Sequence, residues 1–178
     1  MLNSASRLRA EAREERLGYP SRSWEPLVRK AAEAAIAESA FPDLADSERP
    51  IEMSVTLTGD EQVRALNSQW RGKDKPTNVL SFPMADERDL SLANVADQEL
   101  LLGDIVLARG VCEREAADKD IPVERHAAHL LVHGTLHLLG CDHHDERDAA
   151  LHQHPHERGE LGIEDARLGI SDPYQDRV

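Results

Sequence analysis

Between Pro122 and Gly140 the chain has essentially one way to fold. A proline opens the stretch, apolar residues fill it through Leu139, and a glycine closes it. Proline is tolerated in a first helical turn because the N–H it lacks has no helical partner there. Glycine stops a helix because it enters the left-handed conformation without Cβ strain. Residues four apart on a helix lie on one face, so His133 and His137 aim their imidazoles at one spot. Past Gly140 the chain turns and brings His143 back to that spot.

Three converging imidazoles with no fourth protein ligand in view form the donor set of one catalytic Zn2+ with an open position. The spacing His-x-x-x-His-x-x-Gly-x-x-His is also that of metzincin proteases. Those enzymes carry a Glu general base directly after the first His, and here Gly134 stands there. The chain has 9 His, so a bare pair would mean little. His126, His129 and His133 also share a helical face, which leaves open a ligand set shifted by one turn, or ordinary packed histidines. Cys141 is a packed thiol beside the turn or, failing that, an extra thiolate ligand. His152, His154 and His156 lie in a weakly patterned stretch and read as solvent-facing.

Composition narrows the setting. At 178 residues the chain is one domain by size. Only 3% is aromatic, so the core must rest on Leu, Val, Ile and Ala. The net charge of −13 excludes a general polyanion binder, because phosphate contacts come from Lys and Arg. A nucleic-acid role therefore needs a local basic patch or a bound cation. Two cysteines, Cys112 and Cys141, make no disulfide framework. The charged start resembles no secretory signal, and no apolar run reaches membrane-spanning length. The expected setting is a reducing cytoplasm, without membrane contact.

Residues 1–22 read as a charged, partly helical arm, and residues 23–178 as the folded domain. Ser23 and Pro26 mark a helix start, with Leu27, Val28, Ala31, Ala35 and Ile36 at helical spacing. Ile51 to Thr58 alternates as a half-buried strand. Asp60 is expected to cap a second helix whose inner face holds Val63, Leu66 and Trp70. Arg71 to Thr77 is the one compact basic loop, and Asn78 to Phe82 a short strand ended by Pro83. Ala85 to about Leu100 reads as an acidic exposed loop, Asp104 to Ala108 as a buried strand, and Arg109 to about Lys119 as a helix. Few strands among several helices in mixed order give an α+β class: a small sheet with helices packed on it.

Two stretches in combination resemble the YbeY family of bacterial rRNA maturation endoribonucleases. Trp70-Arg71-Gly72-Lys73-Asp74-Lys75-Pro76-Thr77-Asn78-Val79-Leu80-Ser81-Phe82-Pro83 is similar to its basic motif, and His133 to His143 to its zinc motif. Leu102-Gly103-Asp104-Ile105 resembles the strand between them, and Leu168-Gly169-Ile170-Ser171-Asp172-Pro173-Tyr174 its usual ending. The likeness covers roughly Trp24 to Tyr174. Three features depart from it. The family begins with a strand where this chain shows a charged arm, Pro155 and Gly159 interrupt the last helix, and Cys141 replaces a common aromatic residue.

The resemblance implies a compact sandwich of a small mixed sheet and helices, with zinc in a cleft. It implies a metal-dependent, single-strand-favouring endoribonuclease acting in 16S rRNA 3′-end maturation and ribosome quality control. The expected partners are single-stranded RNA, the 16S rRNA precursor and the small ribosomal subunit, with no DNA substrate. His133, His137 and His143 would hold the zinc, and His133 and Arg71 count as catalytic. Arg71 would stabilise charge on the phosphate by its bidentate fork, and Lys73 and Lys75 would hold the flanking backbone. Asp74 braces the loop, Asp142 orients a ligand His, and Asn78 and Ser81 line the cleft. Two rivals remain: a metalloprotease without its Glu base, and a non-catalytic ribosome assembly factor stapled by zinc. Attack by zinc hydroxide and attack by the RNA 2′-hydroxyl are both open, and a 2′,3′-cyclic phosphate product would single out the second.

Overall fold

The structure, a computed structural model, describes residues 8–14, 24–92 and 98–141. Its centre is a four-stranded mixed sheet in the order β1-β2-β4-β3. The strands are β1 (Leu8–Glu14), β2 (Ile51–Thr58), β3 (Val79–Pro83) and β4 (Leu100–Ala108). β1, β2 and β4 are parallel, while β3 runs antiparallel to β4 and forms one edge. The α+β class expected from the sequence is the class observed.

The charged arm needs correction: Leu8–Glu14 is a strand paired along its length with β2, Leu8 opposite Ile51 and Ala12 opposite Val55. Leu8 and Ala10 are buried and Ala12 packs on the core, while Arg9, Glu11 and Arg13 point to the other face. Small alanines alternating with long charged side chains made this period-2 pattern look polar throughout.

Alternation of side chains divides the sheet into two faces. One carries Met53, Val55, Leu57, Ile105 and Leu107 against two helices, α1 (Glu25–Glu38) and α5 (Val123–Leu138). α1 contributes Val28, Ala31, Ala32, Ala35 and Ile36, and the run of alanines lets it lie close to its neighbours. The other face is covered at its β3–β4 end by α2 (Asp60–Arg71), where Val63 meets Leu80 and Ala108. α4 (Arg109–Asp118) follows β4 directly and packs beside α5.

Several local expectations change. Ser23 lies outside the described residues; Trp24 occupies the cap position of α1, without a side-chain cap, and Pro26 sits in the first turn as expected. Gly59, not Asp60, is the cap residue of α2. Asp60 instead accepts from the Val111 backbone N–H at 3.1 Å and from Arg114 at 2.7 Å, tying α2 to α4. The acidic loop contains a short helix, α3 (Glu87–Ser91), closed by a reciprocal cap between Asp86 and Asp89. Buried Arg49 fixes this segment from below, donating to the carbonyls of Asp89 at 2.9 Å and Gln98 at 2.7 Å.

Gly103 shows why the Leu102-Gly103-Asp104-Ile105 stretch holds a glycine. Its φ is +132°, and a Cβ there would stand 2.2 Å from the Phe82 carbonyl oxygen. The β2–β4 register slips at this level, between Glu52 and Met53. Only a residue without a side chain lets edge strand β3 close onto β4 here.

Candidate metal and RNA site on α5 and the edge strand

α5 runs from Pro122 to the glycine turn foreseen from the sequence. Gly140 is left-handed at φ +76°. The Gly140 N–H donates to the His137 carbonyl at 3.1 Å, and the Cys141 N–H reaches back to Leu136 at 3.0 Å. These bonds satisfy carbonyls that a helix end would otherwise leave open.

His133 and His137 converge. Their Nε2 atoms are 3.0 Å apart and the rings stand at 81°. Two nitrogens on one tetrahedral zinc at the usual bond length would be about 3.3 Å apart. The pair therefore fits a shared divalent ion to within a few tenths of an ångström, with both rings half-buried. His143 and Asp142 lie outside the described residues, as do His152, His154 and His156. Among the described residues no group of three or more His, Cys, Asp or Glu gathers at one point.

His126 does not join this pair. It is 2% exposed, and its Nε2 lies 2.7 Å from Glu115 Oε2. Asn78 Nδ2 donates to the same carboxylate oxygen at 3.0 Å. Asn78, expected in the cleft, thus ties the start of β3 to α4 and α5. This three-residue junction was not evident in the sequence, because its members are 37 and 11 residues apart and belong to no motif. Cys112 is equally unreactive: burial, with the nearby Glu115 and Asp60 charges, pushes its thiol up to about 12.

The junction has a consequence for stability. Burial lowers the His126 pKa against the opposing pull of Glu115, so folding disfavours the imidazolium. Burial alone would raise Glu115, but the hydrogen bonds from Asn78 and His126 prevail and hold it below the usual carboxylate range. Both groups bind protons more readily in the unfolded chain. Their stabilisation is complete at neutral pH, erodes first through His126 as pH falls below its ordinary 6.5, and then through Glu115 below 4.5. Urea midpoints should drop between pH 7 and 5, and His126→Gln should flatten that slope by up to one proton. An unchanged slope in the variant would remove the junction from the pH response.

Gly134 sits where the sheet comes closest. A Cβ at this position would lie 3.0 Å from Ile105 Cδ1 and 3.1 Å from Ser81 Oγ. A glutamate there would force a carboxylate against the core face of β4, which is costly for an unpaired charge. The protease base is therefore absent from the sequence, and at its position even a Cβ would need Ile105 and Ser81 to give by a few tenths of an ångström.

The basic loop is built by α2. Gly72, left-handed at φ +66°, ends the helix and passes the chain to Lys73. Arg64 holds Asp74 through two bonds, Nε to Oδ1 at 2.8 Å and Nη2 to Oδ2 at 3.2 Å, and keeps that carboxyl below its usual range. Asn67 donates to the Lys75 carbonyl at 2.7 Å. Asp74 thus braces the loop, as expected. Arg71, Lys73 and Lys75 are exposed, and none has a carboxylate partner among the described residues.

The chain directions place this loop relative to the histidines. α2 begins at Asp60 beside Val111, near the start of β3, and its last turn brings Trp70 onto Phe82, near the end of β3. α5 starts at the Asn78 junction and passes Ser81 at Gly134. Eight helical residues rise about 12 Å and three strand residues about 10 Å, so α5 keeps pace with β3. Both helices reach the Ser81–Pro83 level on opposite sides of an edge strand. Trp70, which helical spacing predicts on the inner face of α2, is instead 65% exposed.

Residues 9–158 match the family model for Endoribonuclease YbeY. A relative so named from Rhizorhabdus wittichii is 53% identical over 152 residues, covering 85% of this chain and 87% of its own. Those from Sphingopyxis alaskensis and Erythrobacter litoralis are 48% and 46% identical, covering 86% and 90% of this chain and 89% and 94% of theirs. With the helix-borne histidine pair, the braced basic loop and a match across most of its length, the chain belongs to the YbeY endoribonuclease family.

Proposed function

We propose that this protein is a zinc-dependent endoribonuclease that cuts single-stranded RNA in the cytoplasm. The observation that carries the reading is the His133–His137 pair, 3.0 Å apart at Nε2, on the helix whose Gly134 packs against Ser81 of β3, the strand that the exposed basic loop leads into. The names of the relatives supply the reaction class. Its substrate in the cell is the 16S rRNA precursor, trimmed at the 3′ end on the small ribosomal subunit as part of maturation and quality control.

His133, His137 and His143 would hold one Zn2+, which supplies Lewis-acid polarisation of water and of a phosphoryl oxygen when bound. The chain's own residues do the rest. Arg71 presents a planar fork to the two non-bridging phosphate oxygens, where negative charge grows during cleavage. Lys73 and Lys75 attract the neighbouring phosphates, giving a protein of net charge −13 a local anion site. The Arg64–Asp74 pair holds the loop without neutralising those cations. Packing of Gly134 on Ile105 and Ser81 fixes the rotation of α5 and with it the aim of both imidazoles.

A side-by-side assay of structureless RNA and casein, with and without chelator, tests the reading. RNA cleavage that chelator stops and zinc restores, with casein intact, is expected. Casein cleavage, or RNA cleavage indifferent to chelator, would contradict it.

A further inference from the structure

Trp70 has no evident structural role. Its indole is 65% exposed and makes an edge-to-face ring contact with Phe82, with centroids 6.2 Å apart and planes at 69°. An edge-to-face contact covers at most one face of the indole, and at 65% exposure the other is open to solvent. The chain is otherwise poor in aromatics, with 2 Trp, 2 Tyr and 2 Phe in 178 residues. Two of these six are gathered here, beside Arg71, Lys73 and Lys75 on the loop that follows. Across Arg71–Lys75 three cations face one carboxylate, and that carboxylate, Asp74, is already bonded to Arg64. An exposed flat ring among cations that have no carboxylate partner among the described residues suits a ligand with both a π-face and a phosphate.

We propose that Trp70 is a stacking platform for one unpaired base of the RNA strand, adjacent to the phosphate held by Arg71. This deepens the endoribonuclease reading and rests on it. A base can stack on the indole only when it is out of a duplex, so the ring would select for single strands in a way the cations alone cannot. Stacking on an aromatic side chain tolerates any base, because every base has a π-face. Trp70 would therefore set strandedness and the seat of the strand, not sequence.

The test uses the full chain carrying Trp24→Phe, which leaves Trp70 as the only indole, and a short RNA with 2′-O-methyl groups so that binding is read without cleavage. Binding should quench the Trp70 emission. Trp70→Ala should weaken affinity about tenfold, in the range of one lost stacking partner, while Trp70→Phe retains most of it. The deciding comparison walks a single abasic site along the RNA. In the Trp24→Phe chain one position should cost affinity strongly, and Trp70→Ala should erase that penalty. Equal affinity for Trp70→Ala, with wild type cleaving RNA normally, would overturn the platform and leave the endoribonuclease reading standing. A changed oligomeric state with unchanged RNA affinity would assign the ring to a contact between copies and also overturn it. Failure of the wild-type chain to bind or cut RNA at all would remove both readings together.

Discussion

His137→Ala should lose at least about a thousandfold in RNA cleavage, together with its zinc, while the fold persists. The size follows from what the ion supplies: charge stabilisation of several kcal/mol, at about 1.4 kcal/mol per decade of rate. Persistence of the fold follows from where the ring sits. His137 is half-buried at the last turn of α5, beside Gly140, whose backbone bonds close the helix without it. The core beneath rests on Leu131, Leu138 and Leu139, which the substitution leaves in place. Circular dichroism and metal analysis of the same sample separate the outcomes. Zinc loss with unfolding would favour an ion that staples the helix end. Zinc loss with a native spectrum and no cleavage is the result expected of an enzyme.

Arg71→Ala gives the second large effect, and its signature differs. Cleavage should fall by about two to three decades, the usual cost of removing one preorganised donor to developing charge. Zinc content should be unchanged. Stability should shift by no more than about 1 kcal/mol, since Arg71 is exposed, has no carboxylate partner among the described residues, and offers at most a favourable charge at the C-terminal end of α2. Arg71→Lys should recover only part of the rate, because an ammonium cannot make the planar two-point contact. Wild-type rates in Arg71→Ala would take the guanidinium out of the reaction. Loss of zinc in that variant would mean that the loop supports the metal rather than the phosphate.

Much of this site was legible in the sequence because its geometry is local. A four-residue helical spacing dictates that His133 and His137 share a face, and Gly140 after an apolar run dictates where the helix ends; neither depends on the rest of the fold. Three strands were legible, β2 from period-2 alternation and β3 and β4 from short apolar runs, though β4 starts at Leu100 rather than Asp104; β1 was not, because alanines filled its buried positions and left little apolar signal. What could not be read depends on distant packing. That Gly134 abuts Ile105 and Ser81, that Asn78 and His126 meet on Glu115, and that Asp60 links to α4 instead of capping α2 are all set by how elements stack. Trp70 was misplaced for the same reason. Helical periodicity put it in line with Val63 and Leu66, but at the last turn of α2 the indole touches Phe82 edge to face and stays 65% exposed.

The most direct measurement is the metal content of the full-length protein, purified without added metal and compared with His133→Ala and His137→Ala. One zinc per chain in wild type, lost in both variants, is what converging imidazoles require. A wild-type protein that cuts RNA while holding no stoichiometric metal, or variants that keep their zinc, would contradict the account.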